Sequence, residues 1–535
     1  MSWKRLQANM PVIFDTIATV VLAFSMMIGF GYPSFILVFN AMASNTNVTG
    51  DEVFIPVFWS VLDSSIIACI ATVIAVILTA VNRSLPRTIS HIFDAIILIP
   101  ATFSPFIIGA ALTRGIGRGG MLDSGVLPPF FGRSAVIITF TLALLPYAYA
   151  LLRLATLKVP LALIDICRVN GAGEWKIFRH TVWPRMRRGI PLAWLVVFIL
   201  SISDPVVPSL LSYPYPNASR AVWTLTTALG DTGGAARISL ALLLATLGLG
   251  AIAFRALESP DLFGAFRGVE PDNNRTSFSQ PVGLALWPRV ALMSTLTIVI
   301  TAPALFTIAR ADTNQTSSSP AVFTTTLIIS IFTVVASIVI AGSGLWLKAR
   351  RPSRHMIDVV FGLALVVPGA TTGSALGLAY GPSSHLATSL SPLAQSVITS
   401  LLTVTAYLTL SAPLTYVSVR AYGSVLPRQD FETALMLGAS VVRATRVSAQ
   451  TWLRQSVAMS VTIVLAVSAV SVAPIMWVTS PSTPLLVPYL YRLIDHAEFG
   501  PAAILALAIS AIILLLLPIT SLLLRIRTSR QGGRS

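Results

Sequence analysis

The chain has 535 residues, of which 55% are apolar and only 10% charged, and it carries a formal charge of +16 at pH 7. A soluble domain usually has roughly a quarter of its residues charged, so this composition excludes one and points to a membrane protein. Its two cysteines, Cys69 and Cys167, exclude a disulfide scaffold.

A spanning helix needs about 20 mainly apolar residues, because its backbone polar groups find no water in the bilayer. Twelve such runs occur, near 11–39, 57–81, 92–113, 134–157, 190–213, 237–256, 287–309, 321–347, 356–380, 393–419, 456–478 and 502–524. The expected fold is all-α and polytopic, with about twelve transmembrane helices. With the N-terminus inside, 29 of the 36 Lys and Arg fall on one side, leaving Arg114, Arg118, Arg133, Arg220, Arg237, Arg310 and Arg492 on the other. The positive-inside rule then puts both termini in the cytoplasm. The basic charge is topological, and no nucleic-acid partner is expected.

Lys4 and Arg5 precede the first run, and Ala41-Met42-Ala43 resembles a signal-peptidase site. The apolar stretch exceeds a typical signal core, so a first span is the preferred reading over a cleaved signal peptide. The third run carries Pro100, Pro105 and Gly109, and the ninth carries Pro368, Gly369, Gly373 and Gly377. Either close helix packing or a hinge follows from such residues in a span.

After the fourth run comes a basic cytoplasmic segment, 153–188, and a second one, 420–455, follows the tenth. At an offset of 267 residues Asp165 falls on Glu432, Gly171 on Gly438, Ala172 on Ala439 and Arg179 on Arg446. The register extends back through Pro146 and Pro413, Tyr149 and Tyr416, and Arg153 and Arg420. The chain therefore divides into a first half, 1–257, a polar cytoplasmic linker, 258–286, and a second half, 287–535. Six spans per half is an even number, so the halves are parallel repeats.

In the first segment Asn170-Gly171-Ala172-Gly173 permits a tight bend. A helix from Glu174 then brings Trp175, Phe178 and Val182 onto one face, with Pro184 ending it. A short helix with one apolar stripe docks into a groove on another protein or lies on lipid headgroups. Its duplication favours two equivalent protein partners.

An acid, Gly-Ala six residues on, and Pro thirteen residues after that Gly make a pattern that resembles the EAA loop of binding-protein-dependent ABC importer permeases. Glu432-Thr433-Ala434 with Leu437-Gly438-Ala439 carries the start of the motif, and Gly171-Ala172 with Trp183-Pro184 carries its end. The whole chain is similar to the family's fused two-domain members, of the ferric-iron, thiamine and phosphonate type. That resemblance implies that Asp165, Gly171, Ala172, Trp175, Phe178, Pro184, Glu432, Gly438, Ala439 and Arg446 couple to two copies of a separate ATPase subunit. It also implies an external substrate-binding protein and a place in the bacterial inner membrane. Ferric iron is the preferred cargo, with thiamine or a phosphonate as alternatives. Asp165-Ile166-Cys167 in place of Glu-Ala-Ala, and Thr451 in place of proline, point to unequal coupling by the two loops.

The chain itself is not expected to be an enzyme or to bind a cofactor. A phosphate-binding loop needs Gly-Lys before Ser or Thr, and the four lysines, Lys4, Lys158, Lys176 and Lys348, follow Trp or Leu. The five histidines show no metal-ligand spacing. An ion-gradient transporter is the alternative class, and it needs carboxylates near the bilayer midplane. Asp15, Asp94 and Asp358 lie at cytoplasmic span ends, within reach of water, and Asp63 lies near the outside. Asp204 alone is well inside its run, with Ser471 at its repeat position. Asp204, Ser201 and Ser471 are the candidate pathway residues, against a plain packing role for Asp204.

Overall fold

The computed structural model describes residues 3–43, 48–83, 85–118, 120–121, 130–157, 166–167, 169–212, 215–257, 286–309, 320–350, 355–381, 392–423, 436–438, 461, 464, 467, 470–479 and 484–525. Among them all regular structure is helical. The first run forms α1 (Trp3–Met26) and α2 (Tyr32–Ala43), continuous through a wide turn at Met27–Gly31. Then come α3 (Gly50–Arg83), α4 (Arg87–Leu98), α5 (Pro105–Ile116) and α6 (Arg133–Leu157). After α7 (Glu174–Ile177) follow α8 (Trp183–Ser203), α9 (Val206–Leu211), α10 (Ala218–Thr227) and α11 (Thr232–Leu257). The remainder comprises α12 (Leu286–Ala309), α13 (Pro320–Arg350), α14 (His355–Val366), α15 (Gly369–Tyr380), α16 (Pro392–Gly423), α17 (Leu486–Asp495) and α18 (Phe499–Arg525).

Among the described residues eight helices are long and apolar enough to cross a membrane, and up to ten if each of two bent pairs is one span. Run twelve lies within α18, whose shorter apolar stretch is Phe499–Leu515. About half of run eleven, 456–478, falls outside the described residues. Exposed Ile, Val, Leu and Phe side chains line α1, α2, α12 and α13, as expected of surfaces that face lipid.

The third and ninth runs are broken, not merely kinked. Residues 88–102 meet α5 at 96°, and residues 356–366 meet α15 at 91°. Ser104 before Pro105 is extended, at φ −65° and ψ 143°, because the proline ring disfavours helical backbone in the residue ahead of it. Pro368 holds the same geometry in the second pair, at φ −64° and ψ 141°. Each second limb ends on a glycine: Gly117 N–H donates to Thr113 O and Gly381 N–H to Gly377 O.

The two broken pairs correspond at an offset of 264, which also aligns Gly109 with Gly373 and Asp94 with Asp358. From Pro146 onward the offset is 267. Gly171 and Gly438 share a left-handed backbone at φ +74° and +82°, and Gly230 and Ala497 share one at +66° and +61°.

Packing crosses between the two stretches of chain. Helix α1 packs on α13 and α2 on α15, while α12 packs on α3, α4 and α5. At the centre the Ser203 hydroxyl accepts from Gly369 N–H at 2.9 Å, and Ser239 meets Ser374 at 3.0 Å. Gly250 on α11 lies so close to Val366 that a Cβ there would sit 2.5 Å from a Val366 methyl. The main core runs through α3, α5, α6 and α8, with Phe106, Phe140 and Phe198 fully buried.

Candidate functional site

Helix α6 places Tyr149 and Arg153 one turn apart on one face and delivers the chain to the first loop. Residues 158–165, Asp165 among them, lie outside the described residues. The loop resumes at Ile166 and closes a short helical turn on Gly171. Ala172 N–H donates to Cys167 O at 3.0 Å, the six-to-one bond that ends a helix on a left-handed glycine. Cys167 and Ala172 pack together against buried Ile177, the apolar contact that accompanies this motif. The bend expected at Asn170-Gly171 is therefore present and has a defined hydrogen bond.

Beyond it α7 begins, and Trp175 stacks on Phe178 with ring centroids 5.7 Å apart. Trp175 is 70% exposed, whereas Phe178 reaches back to Trp183. Val182 is buried, so the expected stripe splits: Trp175 faces outward while Val182 anchors the helix to the core.

Pro184 does not end this helix. The path continues through a wide turn at Phe178–Val182 into α8, with Pro184 in the first turn of α8. Trp183 N–H donates to Phe178 O across five residues. The widened turn relieves the clash between a proline ring and the carbonyl four residues before it.

In the second loop Glu432, Ala439 and Arg446 lie outside the described residues. Gly438 adopts the same left-handed conformation as Gly171. Two residues ahead of each glycine stands a strongly exposed apolar side chain, Val169 in one loop and Met436 in the other, both 89% exposed. This pair was not singled out from the sequence. Exposed apolar side chains on a turn are costly in water unless a partner covers them.

The candidate pathway residues adjoin, in sequence, groups that meet at the centre: Ser201 and Asp204 flank Ser203, and Ser471 stands two residues before Ala473, and both Ser203 and Ala473 abut Gly369. Asp204 follows α8 and is buried, its Oδ1 accepting from Val206 N–H at 2.7 Å and Val207 N–H at 3.4 Å. It thereby ties down the start of α9. Ser201 is buried and donates to Phe198 O at 3.0 Å. Ser471 is half-buried, and its N–H donates to Val467 O.

The carboxylates read as solvated span ends are engaged. Asp94 accepts from the Tyr149 hydroxyl, from Asn82 Nδ2 at 2.7 Å, and from Arg153 Nε and Nη2, both at 3.1 Å. Arg153 also donates to Ser90 Oγ at 2.6 Å. Asp358 accepts from the Tyr416 hydroxyl at 2.6 Å and pairs with Lys348 at 2.9 Å. Asp15 accepts from Trp346 Nε1, and Asp63 pairs with Arg133 at 2.6 Å. Four of the five span carboxylates are thus held by a side chain from another helix, and Asp204 by backbone. Among the described residues no group of three His, Cys, Asp or Glu could hold a metal ion.

No protein-family model matches the chain, and no solved structure does. Curated sequences do. The chain is 27% identical over 169 residues to "Molybdenum transport system permease protein ModB" of Escherichia coli K12, which covers 29% of this chain and 73% of that protein. It is 22% identical over 149 residues to "Putative ferric transport system permease protein FbpB 1" of Haemophilus influenzae, which covers 26% of this chain and 24% of that protein.

Proposed function

We propose that the chain is the membrane-spanning permease subunit of an ABC importer, two six-span halves fused through the linker 258–286. Each half seats one coupling loop, 153–188 or 420–455, on one of two copies of a separate ATPase. ATP binding and hydrolysis there rock the halves against each other, and an external binding protein delivers the cargo. Both termini lie on the cytoplasmic side of a bacterial inner membrane.

The observation that carries this reading is the duplicated loop geometry. A left-handed glycine follows an exposed apolar side chain by two residues in both loops, in a chain otherwise devoted to apolar helices. Two permease relatives support it. The ModB match is also informative in length: 169 residues make up 73% of that protein, so it is shorter than half of this chain. A relative of that size supports reading each half as one permease unit. The ion-gradient alternative loses ground, because most span carboxylates are engaged in contacts between helices.

Ferric iron remains the preferred cargo, supported by the FbpB match, and the ModB match adds molybdenum as a second reading. The cargo crosses the central interface, which Ser201, Asp204 and Ser471 adjoin in sequence.

A mild-detergent pull-down of the tagged chain from its native membrane, with co-purifying proteins identified by mass spectrometry, tests the proposal. Two copies per chain of a Walker-type ATPase are expected. A chain that comes down alone, where comparable complexes survive, refutes it. The co-expressed binding protein is then titrated with ferric iron, molybdate, thiamine and a phosphonate to identify the cargo.

A further inference from the structure

We propose that Asp94 and Asp358 are positioning residues that transmit coupling. Each clamps the loop-side limb of a broken helix pair to the helix that leads into a coupling loop. The inference rests on the permease reading above and adds the path by which a loop moves the interface.

Asp94 lies on α4, the first limb of the pair that bends by 96°, and Asp358 lies on α14, the first limb of the pair that bends by 91°. Tyr149 and Tyr416, each 1% exposed, hold them from α6 and α16, the helices that run into loops 153–188 and 420–455. Arg153, the first residue of its loop, grips Asp94 with two nitrogens and Ser90 with one of the same two. In the second cluster Lys348 brings in α13, as Asn82 brings in α3 in the first. The side chain of Arg420, which stands where Arg153 does, lies outside the described residues. Each clamp therefore joins three helices at the root of a loop.

The far limbs reach the interface. On α5, the Phe106 ring meets Tyr491 of α17 with centroids 6.2 Å apart, and a Cβ at Gly109 would lie 3.2 Å from Leu211 at the end of α9. On α15, Gly369 abuts Ser203, Ala473 and Pro474, and Gly373 abuts Trp477. A continuous path of packed groups thus runs from loop to clamp to bend to interface. Packing alone explains the clamps poorly. A buried ion pair gains little over apolar side chains of the same size, whereas it fixes one geometry. That an acid and a tyrosine meet at both places, despite the slip in register between the copies, argues that this geometry is used.

The test uses the purified complex with its ATPase. The native cysteines are replaced (Cys69→Ser, Cys167→Ser), and a reporter cysteine is put on each far limb, Ala111→Cys or Leu378→Cys. Labelling by a small maleimide is timed with and without ATP and vanadate. In the parent, trapping should change the labelling rate at both reporters by at least about fivefold, the scale of an ordinary coupling energy. Asp94→Asn should remove the change at Ala111→Cys and spare most of that at Leu378→Cys, while ATP hydrolysis stays within about twofold of the parent. Asp358→Asn should show the opposite preference, and Asp94→Glu should restore the response. A merely structural role would lower the yield of complex and leave the response of the surviving complex intact. The proposal is overturned if the parent limbs do not respond, or if the Asn variants respond as the parent does. Absence of a co-purifying ATPase in the parent is a different failure and counts against the permease reading itself.

Discussion

Gly171 and Gly438 adopt the same left-handed backbone, at φ +74° and +82°, in two loops that share the residue pattern around it. Nothing lies within 4 Å of a Cβ built at either position, so the demand for glycine is one of backbone alone. An L side chain in this region costs about 1–2 kcal/mol, and proline, fixed near φ −65°, cannot enter it.

Gly438→Pro should therefore destroy the turn without touching a span. The expected outcome is a normal amount of chain in the membrane, loss of uptake, and weakened co-purification of the ATPase. Gly171→Val should act in the same direction through the first loop, less severely. Full uptake by Gly438→Pro would remove that loop from the coupling machinery.

The exposed residues of the loops invite a separate experiment. Met436→Asp and Val169→Asp each put a charge where an apolar side chain stands in water, so the free chain should be unaffected. Burial of such a side chain by a partner is worth about 1.5–3 kcal/mol. Loss of one contact should weaken ATPase association by roughly tenfold or more, read by titrating the purified ATPase onto the detergent-solubilised chain. Unchanged affinity in both variants would mean that the partner covers another surface.

Much of this architecture was legible in the residues, because the bilayer imposes length and composition on every span and because the loop motif occurs twice. The breaks were not. Pro100, Pro105 and Gly369 signal irregular backbone, but whether it becomes a kink or a right angle depends on what the far limb packs against. The clamps were hidden by a slip of register. At the offset that aligns Tyr149 with Tyr416, Asp94 faces Phe361, and only the shift to 264 within the broken pairs aligns it with Asp358. Pro184 reads as a terminator until the wide turn ahead of it is seen, and hydrophobic periodicity carries no trace of such a turn.

Asp204 separates charge from capping. Asp204→Asn keeps an oxygen that can accept from Val206 and Val207, so α9 should remain in place, whereas Asp204→Ala removes the acceptor and should cost about 0.5–2 kcal/mol. If the carboxylate belongs to the pathway, both variants lose uptake, and the Asn variant does so with an unchanged melting temperature in detergent. Wild-type kinetics for the Asn variant would leave Asp204 as a cap.

The contact between α11 and α14 can be tested by compensation. Gly250→Ala drives a methyl into Val366, which is 2% exposed and β-branched and so has little freedom to turn aside. Overpacking of this kind costs about 1–3 kcal/mol. Val366→Ala alone opens a small cavity, and the double variant should be more stable than the sum of the two single losses, the mark of residues in contact. Strict additivity in detergent melting would show that the two helices do not meet there.

Ala497 is the one non-glycine residue with positive φ among the described residues, and Gly230 holds the corresponding position in the first half of the sequence. The same turn is thus made once without strain and once with it. Ala497→Gly relieves about 1–2 kcal/mol of left-handed strain and gives back about 0.5–1 kcal/mol in backbone freedom of the unfolded chain. The net should be a small stabilisation, seen as a modest rise in melting temperature. Gly230→Ala should lower it by a similar step, with open space around the new methyl and hence no packing penalty to confuse the sign. If strain at Ala497 serves the transport cycle, Ala497→Gly will be more stable and slower in uptake. If the turn is only a connection, it will be more stable and equally fast.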